Sequence, residues 1–239
     1  DAGSYSVFGG SRLLGLEKFT FEPHGDSVLL VTNVDEVLPT PDRGDQKLVK
    51  KGLVSFKALD FTLLDYRSET SWLGVKLKRG IVVSETTFTS YHEVNGRGFG
   101  DTDLKPPGRL FVFEPQAFAT FDLMLRGLRG KLLGGRDVNV ILITEPRDTV
   151  LALRFVPGAV ENIQWNGKSV AASKVTITDG KNSFYAWQSA KGHMLRLEEP
   201  RRGLRVERDP FPADSATVKR PAGKAKTATN SAAKTPSGR

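Results

Sequence analysis

From Lys18 to Arg208 the chain is cut into short stretches of alternating apolar and polar residues by Gly, Pro, Asn and Asp, and that punctuation leaves few folds open to it. Strand-length runs occur at 18–22, 27–37, 53–67, 75–84, 85–94 and 110–113, and resume at 137–144, 149–156, 162–165 and 169–178. The clearest is a hairpin over 183–200. In its first arm Phe184, Ala186 and Gln188 alternate with Tyr185, Trp187 and Ser189; in its second Met194 and Arg196 alternate with Leu195 and Leu197. Gly192, in the turn Ala190-Lys191-Gly192, supplies the positive φ a short hairpin loop needs. A further strand follows over 203–208. Between the runs lie Glu145-Pro146-Arg147-Asp148, Pro157-Gly158, Asn166-Gly167 and Asp179-Gly180, all turn formers, the last two being dipeptides that primed hairpin turns prefer. Successive short strands with turns between them predict an antiparallel meander and not βαβ units.

One segment has a helical period. Ala117, Phe118, Phe121, Met124, Leu125 and Leu128 fall on a single stripe, with Pro115 suited to a first helical turn and Gly127 or Gly130 able to end it. This predicts one helix near 115–128 packed on the sheet. The segments 39–52 and 96–108 are polar and long for hairpin connections, so they read as loops that could form a functional rim.

Charge divides unevenly along the 239 residues. Of the 35 Lys and Arg, six lie from Ser215 onward with none of the 27 acids, so the preceding body holds 29 bases against 27 acids. A nucleic-acid-binding face is therefore not required by composition, while the basic tail suits an anionic surface. That tail, rich in Ala, Lys, Thr, Ser and Pro, is expected to be disordered over 210–239. No Cys is present, which excludes disulfides, thiolate nucleophiles and cysteine metal clusters. No run approaches the roughly 20 apolar residues of a membrane-spanning helix. The first residues, Asp1-Ala2-Gly3-Ser4, lack an initiator Met, a start compatible with a processed export signal or a shortened chain.

Chemistry-bearing patterns are sparse. His92 with Asp101 and Asp103 joins an imidazole to carboxylates within one stretch, and is the candidate site for a hydrolase or a hard metal, although the spacing matches no zinc or EF-hand motif. Gly96, Gly98 and Gly100 offer backbone N–H groups for an anion, but Pro106-Pro107 follows where a phosphate loop needs a helix. Three His and no Gly-x-Ser-x-Gly elbow select no catalytic triad. Glu198 and Glu199 point to opposite faces of a strand and read as surface charge beside Arg201 and Arg202. Aromatic residues lie mostly in strands, where they read as core; a twisted sheet around one helix can still leave an apolar concavity for a greasy ligand. Trp72, Trp165 and Trp187 are the candidate ligand-binding residues, with no cofactor or metal implied.

The stretch Gly10-Ser-Arg-Leu-Leu-Gly-Leu-Glu-Lys-Phe-Thr-Phe21, the single helix after Phe111-Val-Phe113, and Ala186-Trp-Gln-Ser-Ala-Lys-Gly-His-Met-Leu-Arg-Leu197 together resemble bacterial exported proteins of unknown function. Those are similar in turn to the lipoprotein-carrier superfamily, whose strongly curved sheet folds around helices. The resemblance spans residues 5–209 as a pattern of strands, and implies a periplasmic or cell-envelope location and an apolar cavity. The expectation is thus a mainly β body over 1–209, a strongly curved antiparallel sheet forming an open or half barrel with one packed helix. Its expected role is to bind an apolar or amphiphilic molecule; a hydrolase and a structural module of an envelope complex are the alternatives.

Overall fold

The alternating runs become strands, and the computed structural model, which describes residues 1–130, 134–144 and 147–210, pairs them into one fifteen-stranded sheet. The first eight are β1 (Ala2–Gly9), β2 (Arg12–His24), β3 (Ser27–Thr40), β4 (Gly44–Lys57), β5 (Leu63–Trp72), β6 (Val75–Val83), β7 (Thr87–Val94) and β8 (Arg97–Leu104). β9 (Leu110–Phe113) precedes the helix α1 (Ala119–Leu128), after which come β10 (Arg136–Leu142), β11 (Thr149–Trp165), β12 (Lys168–Thr178), β13 (Ser183–Gln188), β14 (Met194–Glu199) and β15 (Leu204–Arg208). Each half is a meander, and pairing of β1 with β15 joins them, so the order runs from β8 to β1 and then from β15 to β9. All neighbours are antiparallel except β9 and β10, which are parallel. A right-handed twist accumulated over this many strands curls the sheet, and it curls around α1 without closing its ladder.

The helix fills the concave side. Of its ten residues only Arg126 is not buried, so the apolar stripe read from the sequence describes one of its faces and the wrapping sheet covers the rest. Phe118, Phe121 and Leu125 are all enclosed. Around them Tyr5, Phe19, Phe21, Phe56 and Tyr66 form one continuous core, with Tyr5 stacked on Phe19 at 4.9 Å between ring centres. β9 is an edge strand, yet Leu110, Phe111 and Val112 are all buried, which protects that edge from pairing with another chain.

Local chemistry decided several boundaries differently from the sequence pattern. The helix starts at Ala119, because Pro115 and Gln116 form a turn with Gln116 at a φ of 70°. Gly127 lies inside the helix; a Cβ there would come within 2.8 Å of the Phe61 Cβ, so it serves close packing, while Gly130 takes the positive φ beyond the helix end. The run 53–67 is split by a turn at which Phe61 has a φ of 60°. Conversely, 149–165 is a single strand. Pro157, which has no N–H to donate, sits at an irregularity in its pairing with β12 and not in a turn. Asn166 and Gly167 both take positive φ, as a primed two-residue turn requires; at Asp179-Gly180 only Gly180 does, and the Asp179 carboxylate instead accepts from the Lys181 and Asn182 amides at 2.8 and 2.6 Å.

The two expected rim loops are mostly strand. Residues 39–52 contain the end of β3 and most of β4, and 96–108 contain β8. Their polarity has different causes: β4 carries Lys50 inward, whereas β8 is an exposed edge where charge and glycine discourage further pairing. The basic tail beyond Pro210 and its proposed anionic contact lie outside the described residues.

Candidate functional site

Charged residues that stand in phase with the buried side of a strand define the site. Glu17 lies in line with Phe19 and Phe21 on β2, Glu36 with Leu30 and Val34 on β3, and Lys50 with Leu48 and Val54 on β4; all three are buried. They converge near the start of α1. A helix leaves its first N–H groups without internal partners, and α1 has no capping side chain of its own. Glu17 supplies the cap from the sheet: one carboxylate oxygen accepts from the Phe118 amide at 2.7 Å, and both accept from the Ala119 amide at 3.1 Å. Burial nevertheless dominates those bonds and pushes the Glu17 carboxyl up to about 8.

Lys50 is fixed by acceptors from the segment before the helix. Its Nζ donates to the Pro115 carbonyl at 2.6 Å and pairs with Glu114 Oε1 at 3.1 Å. The same Glu114 oxygen accepts from the Ser68 hydroxyl, which in turn accepts from Tyr66 at 2.8 Å. This chain links β4 and β5 to the segment after β9 and ties the helix entrance to the sheet. Tyr66, enclosed and next to the Glu114 charge, is held well above the usual phenol range, first by burial.

Beside this network lies an apolar cavity of about 370 Å³. Phe113, Phe121 and Phe184 form one wall, with Phe121 4.6 Å from Phe113 and 5.1 Å from Phe184 between ring centres. Leucines from β2, β3, β10, β11 and β15 supply much of the remainder. The polar lining groups include Glu36, Gln116, Asp179, Glu199 and Arg202. Glu36 is 2% exposed, and its Oε1 has no hydrogen-bond partner among the described residues. Burial raises its carboxyl to about 7 against the opposing charge of Lys50. Space for it is built in: across the ladder from Glu36 is Gly15, where a Cβ would lie 2.5 Å from the Glu36 Cγ and collide with the Asp35 carbonyl. Glu199, read from the sequence as surface charge, is 3% exposed at this cavity and pairs with Arg202 at 3.4 Å. Its neighbour Glu198 remains on the outer face.

The tryptophans named from the sequence stand elsewhere. Trp165 and Trp187 belong to a second cluster with Ile163, Ala172 and Leu195, and alternation puts Trp187 on the face of β13 opposite the core residue Ala186. The Trp165 indole donates to the Arg208 carbonyl at 2.7 Å, and that of Trp187 to Glu161 at 3.1 Å. Trp72 ends β5. None of the three lines the cavity.

The His92, Asp101 and Asp103 group is also rearranged. The ladder sets Asp101 opposite Ser90 and Asp103 opposite Phe88, but His92 Nε2 meets Asp148 at 3.1 Å, from the connection between β10 and β11. Asp103 takes Arg147 at 2.8 Å, and Asp101 stands 4.0 Å from the same guanidinium. Arg79 adds a bond to the Thr144 carbonyl at 3.0 Å. These contacts run between strands near the β8 edge and a connection near the β9 edge. They therefore join the two ends of the unclosed sheet through side chains. His92 stacks on Phe99 at 5.1 Å, and burial raises the Asp148 carboxyl. No group of three or more metal-ligating side chains with suitable geometry occurs among the described residues.

Among solved structures, the fold is similar to a β-barrel-like protein of the domain of unknown function DUF1849 from Brucella abortus, with a TM-score of 0.55 and 11% identity over 87% of this chain and 94% of that one. A DUF1089 family protein from Pseudomonas aeruginosa gives a TM-score of 0.48 and 9% identity over 77% and 89%. No protein-family model matches the chain, and no curated protein matches it. The first likeness shows a shared β-barrel-like fold.

Proposed function

We propose that the β body binds a single apolar or amphiphilic molecule in the cavity between α1 and the sheet. The observation that carries this reading is the cavity itself: about 370 Å³, walled by three phenylalanines and several leucines, with a smaller number of polar groups in its lining. Protein cores fill such space with side chains unless something else occupies it. Size and lining fall in the range of small-molecule sites, in which an apolar wall supplies affinity and a few polar groups set orientation. A location in the cell envelope, implied by the resemblance to exported carrier-like proteins, belongs to the same proposal.

The test is direct. Native mass spectrometry of the purified protein is expected to show a bound lipid-sized mass, and titration with apolar dyes or alkyl chains is expected to raise the melting temperature saturably. Tryptophan emission is expected to change little on binding, because all three indoles lie away from the cavity. Absence of both a bound mass and a melting shift across such ligands overturns the reading.

A further inference from the structure

Resting on that reading, we infer that the cavity selects amphiphiles whose head carries a protonated amine, with Glu36 as the group that receives it and the apolar tail lying against Phe113, Phe121 and Phe184. Glu36 lines this apolar space, and its enclosed Oε1 has no hydrogen-bond partner among the described residues, so the carboxyl carries an unmet acceptor that a donor in the cavity would relieve by a small side-chain rotation. The glycine opposite it shows that the carboxyl's position is made by the sheet: any side chain at residue 15 would displace the Glu36 stem.

The charges around the cavity decide the sign of the head. Among the described residues, Glu36, Asp179 and Glu199 line it against one cation, Arg202, which faces Glu199 at 3.4 Å and keeps most of its side chain in solvent. Lys50, whose charge acts on Glu36, is committed to Glu114 and to the Pro115 carbonyl. Among the described residues, a carboxylate or phosphate head would enter among three carboxyls and meet one guanidinium, that of Arg202, already beside Glu199 and mostly in solvent. An ammonium reaching Glu36 forms a charge-assisted bond in a place of low dielectric and gives that carboxyl the donor it lacks. Because burial holds the Glu36 carboxyl near neutrality, an arriving cation also favours its ionised form.

Decylamine, decanol and decanoate share a tail and differ in the head, so their affinities for the full chain, measured at pH 7.5 by calorimetry and by displacement of an apolar dye, separate the two parts of the proposal. Decylamine is expected to bind at least tenfold more tightly than decanoate. Glu36→Gln is expected to bring decylamine to the level of decanol while changing decanol itself less than threefold. Decanoate binding as well as decylamine in the wild type overturns the head assignment whatever the variant does, and so does a preference for the amine that survives Glu36→Gln. If none of the three compounds binds, the cavity reading falls and the head assignment with it. Binding without amine preference leaves the cavity reading standing and removes only the role of Glu36.

Discussion

Replacing Phe121 by Ala tests the helix, the core and the cavity together. Its ring is fully enclosed, between Phe113 at 4.6 Å and Phe184 at 5.1 Å, and it also forms part of the cavity wall. Truncating a buried Phe costs about 3–5 kcal/mol, from lost transfer energy and from the void left behind. At this site the ring already borders empty space on one side, so some of its atoms lack dispersion partners before the change, which places the cost near ~3 kcal/mol. Phe56 provides the comparison. It is equally enclosed, stacks on Phe61 at 5.1 Å, meets Phe21 edge-on at 6.5 Å, and does not line the cavity, so its truncation belongs near ~5 kcal/mol. Urea unfolding of both variants at pH 7, followed by far-ultraviolet circular dichroism, measures the difference. An apolar ligand at a hundredfold excess over its Kd should return roughly 2.7 kcal/mol to the Phe121 variant by mass action. A loss below ~1 kcal/mol at Phe121, or a larger loss there than at Phe56, would refute the argument from enclosure and cavity contact.

Two further changes probe the buried charges. Asp122 and Arg208 are both fully enclosed and 3.1 Å apart, and Asp122 also accepts from the Met194 amide at 3.0 Å, so Asp122→Ala is expected to cost about 3–5 kcal/mol. Adding Arg208→Met should recover part of that loss in a denaturation cycle; strict additivity of the two single changes would show that the pair does not act as a unit. For Glu17 the sign follows from its raised pKa. The folded protein keeps a proton up to about 8 that the unfolded chain releases near 4.5, so the stability from this group is full below pH 4.5 and falls as pH climbs through 8, by about 1.4 kcal/mol per unit. Glu17→Gln should abolish that fall, so wild-type stability relative to the variant should decline steadily from pH 5 to 8; a flat difference would mean that the amides of Phe118 and Ala119 outweigh burial.

Alternation along the chain determined much by itself: that the protein is a β meander, that 183–208 forms three adjacent strands, that one helix follows Phe113, and that Phe118, Phe121 and Leu125 lie inside. Those properties depend on periods of two and 3.6 residues, which are local and survive in a single sequence. The same period also marks Glu17, Glu36 and Lys50, since each is a charge in phase with buried neighbours, although it does not show what each would meet. Only the tertiary structure decided that. Glu17 reaches the helix 101 residues later in the chain, and His92 finds Asp148 across the sheet ends in place of the nearby Asp101 and Asp103. Whether Trp187 or Phe184 faces the cavity, though both sit in one strand, depends on which side of β13 the curl encloses, and curvature belongs to all fifteen strands at once. The cavity has the same origin: it is the volume that a sheet of this twist leaves around a helix of this length, and no stretch of residues encodes it alone.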